Sequence, residues 1–199
     1  MAQKRIAVTG GIGSGKSLAL RYISQIGYPV YSCDEIYKSV IQSKEYIDKI
    51  SVLFPDVIVD GEISRELLAK QVFNHSENRR KINEIAHPLI MQNLYAQMSK
   101  CESELVFAEV PLLFEGNFEK DFDNVLYIYR NREKRIKGII ARNGLSKMDV
   151  EKRIAVQFNP DSIEGKERLN EVHAHIIKND KEPEDLYKKL LNYIGTMKQ

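Results

Sequence analysis

Ile6-Ala7-Val8-Thr9-Gly10-Gly11-Ile12-Gly13-Ser14-Gly15-Lys16-Ser17 decides the fold. Residues 10–17 satisfy G-x-x-x-x-G-K-[ST], with a short apolar strand before them and a helical pattern over 18–26 after them. Glycines permit positive φ, so successive backbone N–H groups turn inward and form a nest for an anion. The following helix adds its N-terminal dipole and unpaired N–H groups. Lys16 is placed to reach β- and γ-phosphates, and the Ser17 hydroxyl to ligate Mg²⁺. The plainer alternative is a structural glycine turn. Four glycines, the Lys-Ser pair and correct flanks set it aside. The chain is expected to bind a nucleoside triphosphate.

Working outward, near-continuous apolar runs at 5–9, 29–32, 105–110, 124–129 and 174–178 read as strands. Helical patterns separate them, which predicts an α/β fold with a five-stranded parallel sheet covered on both faces. More than seventy residues separate 32 from 105, far more than one crossover helix requires. Within them 34–42, 64–73 and 78–98 look helical, so a helical insertion able to grip a substrate is expected. Residues 130–153 carry nine basic and three acidic side chains, a local net of +6. Two helices joined near Asn143-Gly144 fit that segment, with Gly144 ending one and Ser146 capping the next.

The whole chain has 199 residues, 43% hydrophobic and 29% charged, with 30 Lys and Arg against 28 Asp and Glu. A net of +2 argues against a uniformly basic nucleic-acid binder, and the rest of the chain must sum to −4. No apolar run approaches the roughly 18 residues of a membrane span, and no signal-peptide core precedes the first strand. Cys33 and Cys101 are too few for a disulfide framework or a metal site, and Cys33 is taken as an inert thiol. A cytoplasmic protein with no nucleic-acid or membrane partner is expected, with a monomer favoured.

Two classes compete for the loop. A GTPase switch normally shows N-K-x-D and D-x-x-G. Here Asn179-Asp180-Lys181 has the wrong order, and Asp161 is one residue too far from Gly165. A small-molecule kinase fits better: the insertion holds the acceptor, and the basic segment closes over the phosphates and excludes water. Such a kinase needs a carboxylate beside the acceptor hydroxyl. Asp34, just past the second strand, stands at the edge where open α/β sheets bind ligands. An N-cap for the helix after it is an equally good account by spacing alone.

A family pattern runs through the chain. It comprises residues 9–17, Asp34 with Ile36, Arg65 with Leu68 and Phe73, His87-Pro88-Leu89-Ile90 and Pro111-Leu112-Leu113-Phe114-Glu115. Arg142, Arg153-Ile154 with Gln157, and Ile177 with Asn179 complete it. In these stretches the chain resembles the dephospho-coenzyme A kinases, which transfer the ATP γ-phosphate to the ribose 3′-hydroxyl of dephospho-CoA. The resemblance implies a P-loop NTPase-type core at 1–33, 101–129 and 159–199, a helical acceptor-binding domain at 34–100, and a two-helix lid at 130–158. It implies catalytic roles for Asp34, Lys16 and Arg142. ATP would be held by Gly11, Gly13, Ser14, Gly15, Lys16, Ser17, Leu18, Arg142 and Asn179, and Mg²⁺ by Ser17. Dephospho-CoA would meet Asp34, Arg65, His87 and Glu115. A nucleoside or nucleotide kinase of similar architecture, or a regulatory P-loop NTPase, stays as the alternative.

The chain departs from the family pattern in places. Ser32 stands where the family writes the first Asp of Asp-Ala-Asp, and a hydroxyl would hold Mg²⁺ more weakly there. Leu18 replaces a common Thr, with little expected effect because Ser17 carries the metal role. Gly138 and Arg142-Asn143 stand for Arg-x-x-x-Arg-Asp, so one phosphate-clamping arginine is missing. Arg135, one turn earlier, is either its replacement or a solvated surface residue. His87, before Pro88, is expected at a helix boundary, with structural and substrate-side readings both open. Glu115 either steadies the hinge into the lid or is solvated. His173 and His175 would share a strand face, too few for a metal and suited to packing.

Overall fold

The computed structural model describes residues 3–72 and 75–198; Phe73, one of the matched positions, lies outside them. β1 (Lys4–Thr9) runs into the glycine loop and α1 (Lys16–Gln25). β2 (Val30–Ser32) passes directly into α2 (Cys33–Val40), then α3 (Lys44–Leu53), β3 (Ile58–Val59), β4 (Glu62–Ile63), α4 (Arg65–Val72) and α5 (Ser76–Met98). β5 (Leu105–Glu109) and β6 (Asn124–Tyr129) precede α6 (Arg132–Asn143) and α7 (Lys147–Ala155). The chain closes with α8 (Ile163–Glu171), β7 (His175–Lys178) and α9 (Pro183–Met197). Two compact units result: Met1–Tyr31 with Cys101–Gln199, and Ser32–Lys100.

The first unit is built on a five-stranded parallel sheet in the order β2-β5-β1-β6-β7. The register sets Ile6 opposite Phe107 and Asn124, and Ile128 opposite Ile177. Ile6, Val8, Phe107, Leu126 and Ile128 share one core with Ala19 and Ile23 of α1 and Leu186 and Leu190 of α9. The alternate positions Ala7, Val106, Ala108 and Val125 are buried as well. This is why the strands read as continuous apolar runs and not as alternating ones. Burial of each large aliphatic side chain contributes about 1.5–3 kcal/mol, so the strand that launches the glycine loop is anchored firmly.

After β6 the two-helix reading holds in detail. α6 ends at Gly144, whose φ of 64° is left-handed, and the Ser146 hydroxyl accepts from the Asp149 N–H to start α7. Ile136, Ile139 and Val150 close a small core between these helices, and Ile12 of the glycine loop packs into it. The two histidines do not share a face. His173 has φ 48° and precedes β7, whereas the His175 ring packs 4.6 Å from that of Tyr193.

The second unit is organised by α5, against which α2, α3 and α4 pack. The expected helix boundary at His87 is absent, because α5 runs unbroken from Ser76 to Met98 with Pro88 inside it. An interior proline costs about 3 kcal/mol through its lost N–H and its crowding of the preceding turn. Ile82 and Ala86 before it, and Leu89, Ile90, Met91 and Leu94 after it, are buried and offset that cost. Two elements go beyond the sequence reading: α3, capped by the Ser43 hydroxyl accepting from Tyr46 N–H, and the β3–β4 hairpin. The hairpin turns on Asp60-Gly61, both with positive φ, the pattern of a tight two-residue turn.

Candidate active site

The loop leaves β1 and folds back on itself. Ser14 N–H donates to Gly11 O at 3.1 Å, and Leu18 and Ala19 N–H both donate to Gly15 O. Gly15 is the N-cap of α1 with φ 99°, so Lys16 and Ser17 are the first two residues of the helix. Lys16 Nζ donates to Gly10 O at 2.6 Å and to Gly11 O at 3.3 Å, which curls its ammonium over the loop. Ser17 is exposed beside it. Ser14 is 1% exposed, and its hydroxyl meets no partner among the described residues. A buried hydroxyl in that position is a donor suited to an anion held in the loop.

Three side chains brace the loop from elsewhere in the first unit. Asn179, 7% exposed, donates from Nδ2 to Ser14 O at 2.8 Å. A Cβ at Gly15 would run into that amide, so glycine is required there by contact as well as by φ. Arg135 donates from Nε to Ile12 O at 2.8 Å. Gln157 Oε1 accepts from Ile12 N–H at 2.9 Å and from Arg135 Nη2 at 3.2 Å. The guanidinium lies where a Cβ on Gly11 would stand, so the second glycine of the loop makes room for it. Arg135 is therefore not a solvated surface residue: it is 8% exposed. Arg142, seven residues further on, is exposed and donates from Nε to Asn143 Oδ1. Two helical turns, about 10 Å along the axis, separate it from Arg135.

Beneath the loop, Thr9, Gly10, Gly11, Tyr127, Gln157 and Phe158 line a narrow cleft together with Glu115. Burial pushes the Tyr127 phenol well above its usual range, with Arg135 opposing, so it stays protonated. Phe114 and Phe158 stack at 4.0 Å, and Glu115 Oε1 accepts from Phe158 N–H at 2.8 Å. Glu115 thus binds the chain where the two-helix segment ends. The Asn179 brace predicts a modest but measurable effect. Asn179→Ala removes a buried hydrogen bond and strands the Ser14 carbonyl, a loss of about 1–3 kcal/mol. A denaturant midpoint equal to that of the unmodified chain would contradict the brace.

In the second unit Asp34 is exposed at the second position of α2. The N-cap is Ser32, whose side chain makes no capping bond, so the N-cap reading of Asp34 is overturned. β2 continues into helix without a connecting residue, which moves the helix start two residues earlier than the spacing suggests. Arg65 opens α4, with the Ser64 hydroxyl accepting from Leu67 N–H. Arg65 lines a cavity of about 860 Å³ together with Lys38, Arg79, Tyr37, Tyr46 and Leu68. The Tyr46 hydroxyl is buried there with no hydrogen-bond partner among the described residues. Lys38, Arg79 and Tyr46 went unnoticed in the sequence because they belong to three different helices. His87 is half-buried on α5, and burial lowers its pKa, favouring the neutral ring.

The loop's donor set fits a triphosphate: inward amides, an unpartnered hydroxyl and the Lys16 ammonium. For a divalent metal the exposed Ser17 oxygen is a hard donor beside the phosphate nest, in keeping with Mg²⁺ held by few protein ligands plus phosphate oxygens.

A glycine loop between β1 and α1 on a five-stranded parallel sheet, with Lys16 and Ser17 opening the helix, defines a P-loop kinase. The family model described as dephospho-CoA kinase matches residues 4–185. The chain belongs to the dephospho-CoA kinase family. A dephospho-CoA kinase of Thermus thermophilus is 35% identical over 145 residues, covering 73% of this chain and 70% of the relative. One of Fusobacterium nucleatum is 32% identical over 195 residues, covering 96% and 97%. A crystal structure from Thermus thermophilus superposes with a TM-score of 0.79 at 30% identity, covering 98% of both chains.

Proposed function

We propose that this chain transfers the γ-phosphate of ATP to the ribose 3′-hydroxyl of dephospho-CoA, releasing coenzyme A and ADP. The observation that carries this reading is the braced loop of a P-loop kinase in a chain of the dephospho-CoA kinase family. In this reading Gly11, Gly13, Ser14, Gly15, Lys16, Ser17 and Leu18 form the phosphate cradle: the amides of Gly13, Gly15, Lys16 and Ser17 and the unpartnered Ser14 hydroxyl donate, and the Lys16 ammonium leaves its carbonyl partners for the phosphates. Ser17 would hold Mg²⁺, which would supply neutralisation of the triphosphate's charge. Asn179 keeps the loop in shape through its bond to Ser14 O, and the resemblance assigns it to the adenine as well.

Asp34 orients the 3′-hydroxyl and accepts its proton as the phosphorus–oxygen bond forms and ADP departs. Arg65 meets the acceptor's phosphates, and the cations and tyrosines of the 860 Å³ cavity suit an anionic nucleotide with a long polar tail. His87 stands on the acceptor side as a neutral ring. Residues 34–100 form the acceptor domain and 130–158 the lid, with Glu115 fastening the lid's far end at Phe158. The enzyme works in the cytoplasm as a monomer on a diffusible substrate.

ADP release by the purified protein with ATP and Mg²⁺ tests the assignment. Turnover is expected with dephospho-CoA and little with nucleosides, nucleoside monophosphates or no acceptor. Equal turnover without acceptor would contradict a kinase, and preference for a nucleoside would contradict the acceptor.

A further inference from the structure

Arg135 is an unusual cation for the interior of a protein. It is 8% exposed, yet both of its hydrogen-bond acceptors, Ile12 O and Gln157 Oε1, are neutral. Among the described residues no carboxylate lies within ion-pair distance of it. A guanidinium has five N–H donors in a rigid fork, and these two bonds use only two of them. Burying a charge with no carboxylate in contact is costly, and a guanidinium stays protonated even though burial here draws its pKa down. The fold holds the group in place regardless. Gln157 binds it and Ile12 N–H with the same oxygen, Ile12 O takes its Nε, and Gly11 clears the space it occupies. Asp161 attracts it through space without forming an ion pair, so a preset fork with spare donors lies across a phosphate-binding loop and is a site for an anion.

We propose that Arg135 binds the triphosphate in this chain, with Gln157 as the residue that positions it. Resting on the assignment of the loop to ATP, this names the cation of that site. The spare N–H groups pair with phosphate oxygens, and the buried charge is neutralised when nucleotide arrives. Position 138, where α6 has no side chain, is bordered instead by Arg130, whose Nη1 lies 3.9 Å from where a Cβ would be. Arg130 Nε is buried without a partner, which makes Arg130 the rival for the same role. The structure favours Arg135, because its bonds reach the loop backbone itself.

Calorimetric titration with inorganic tripolyphosphate and with ADP, in the absence of any acceptor, separates these possibilities from the question of which acceptor is used. Arg135→Gln is expected to weaken tripolyphosphate binding about 10- to 100-fold, the loss of a charge-assisted pair. Arg135→Lys keeps the charge without the fork, so it should recover part of that loss, and Gln157→Ala should fall between the two. Salt dependence of tripolyphosphate binding should flatten in Arg135→Gln alone, a change that a structural brace does not produce. Binding within twofold of the unmodified chain in Arg135→Gln would overturn the proposal. So would equal losses in the Gln and Lys variants with unchanged salt dependence, or a loss that follows Arg130→Gln and not Arg135→Gln.

Discussion

Asp34→Asn is expected to lower kcat by about 10²-fold or more while the affinity for ATP changes little. The carboxylate is asked to orient the acceptor hydroxyl and take its proton, and the amide keeps its shape but not its charge or basicity. Two features make the experiment clean. Asp34 is exposed at the second position of α2, so the substitution empties no core. It is not the N-cap, so no cap is lost; what disappears is a favourable charge in the first turn, about 0.3–1 kcal/mol. Stability should therefore move far less than turnover. Phosphoryl transfer has a loose transition state, which places the effect nearer the lower end of the general-base range. A near-normal kcat would reduce Asp34 to a helix-dipole residue.

Lys16→Met should act on binding and chemistry together. Methionine keeps the unbranched stem and a comparable helix propensity, so α1 should form as before. What is lost is the only lysine of the loop, whose ammonium is parked on Gly10 O at 2.6 Å. Removing one preorganised electrostatic contact from a transferring group costs about 10²–10³ in kcat. Ground-state contact with the β-phosphate is lost as well, so KM for ATP should rise alongside. Single-turnover rates with an ADP titration separate the two effects. Values within threefold of the unmodified chain in both would remove Lys16 from the site.

Much of this was legible in the chain because the signals are local. The glycines, Lys16 and Ser17 sit within eight residues, and the strands that carry the sheet are unbroken apolar runs. Gly144 and Ser146 mark the turn between α6 and α7 by side-chain chemistry that acts over one helical turn. Where local rules misled, a tertiary effect won. Pro88 implied a boundary, but the buried stripe on either side of it carries α5 through. The spacing allowed Asp34 as a cap, but β2 passes straight into α2 and Ser32 takes that position.

Arg135 shows the deeper limit. Nothing near it in sequence separates it from its exposed neighbours Arg132, Lys134 and Lys137. Its character is set by Gly11 and Ile12, more than a hundred residues away, and by Gln157 across the α6–α7 turn. The resemblance also assigns Arg142 to ATP; that residue stands two turns further along α6, exposed, with its Nε on Asn143 Oδ1. The net charge of +2 hid the same fact at larger scale, since the basic excess lies in the segment that reaches the loop.

The central claim is the destination of the phosphate. Incubating the protein with ATP, Mg²⁺ and dephospho-CoA, and reading the product by mass spectrometry and ³¹P NMR, tests it most directly. One equivalent of coenzyme A per ADP is expected, with the new monoester on the ribose 3′-oxygen. ADP formed with inorganic phosphate and unchanged dephospho-CoA, or a phosphate placed on another hydroxyl, would contradict it.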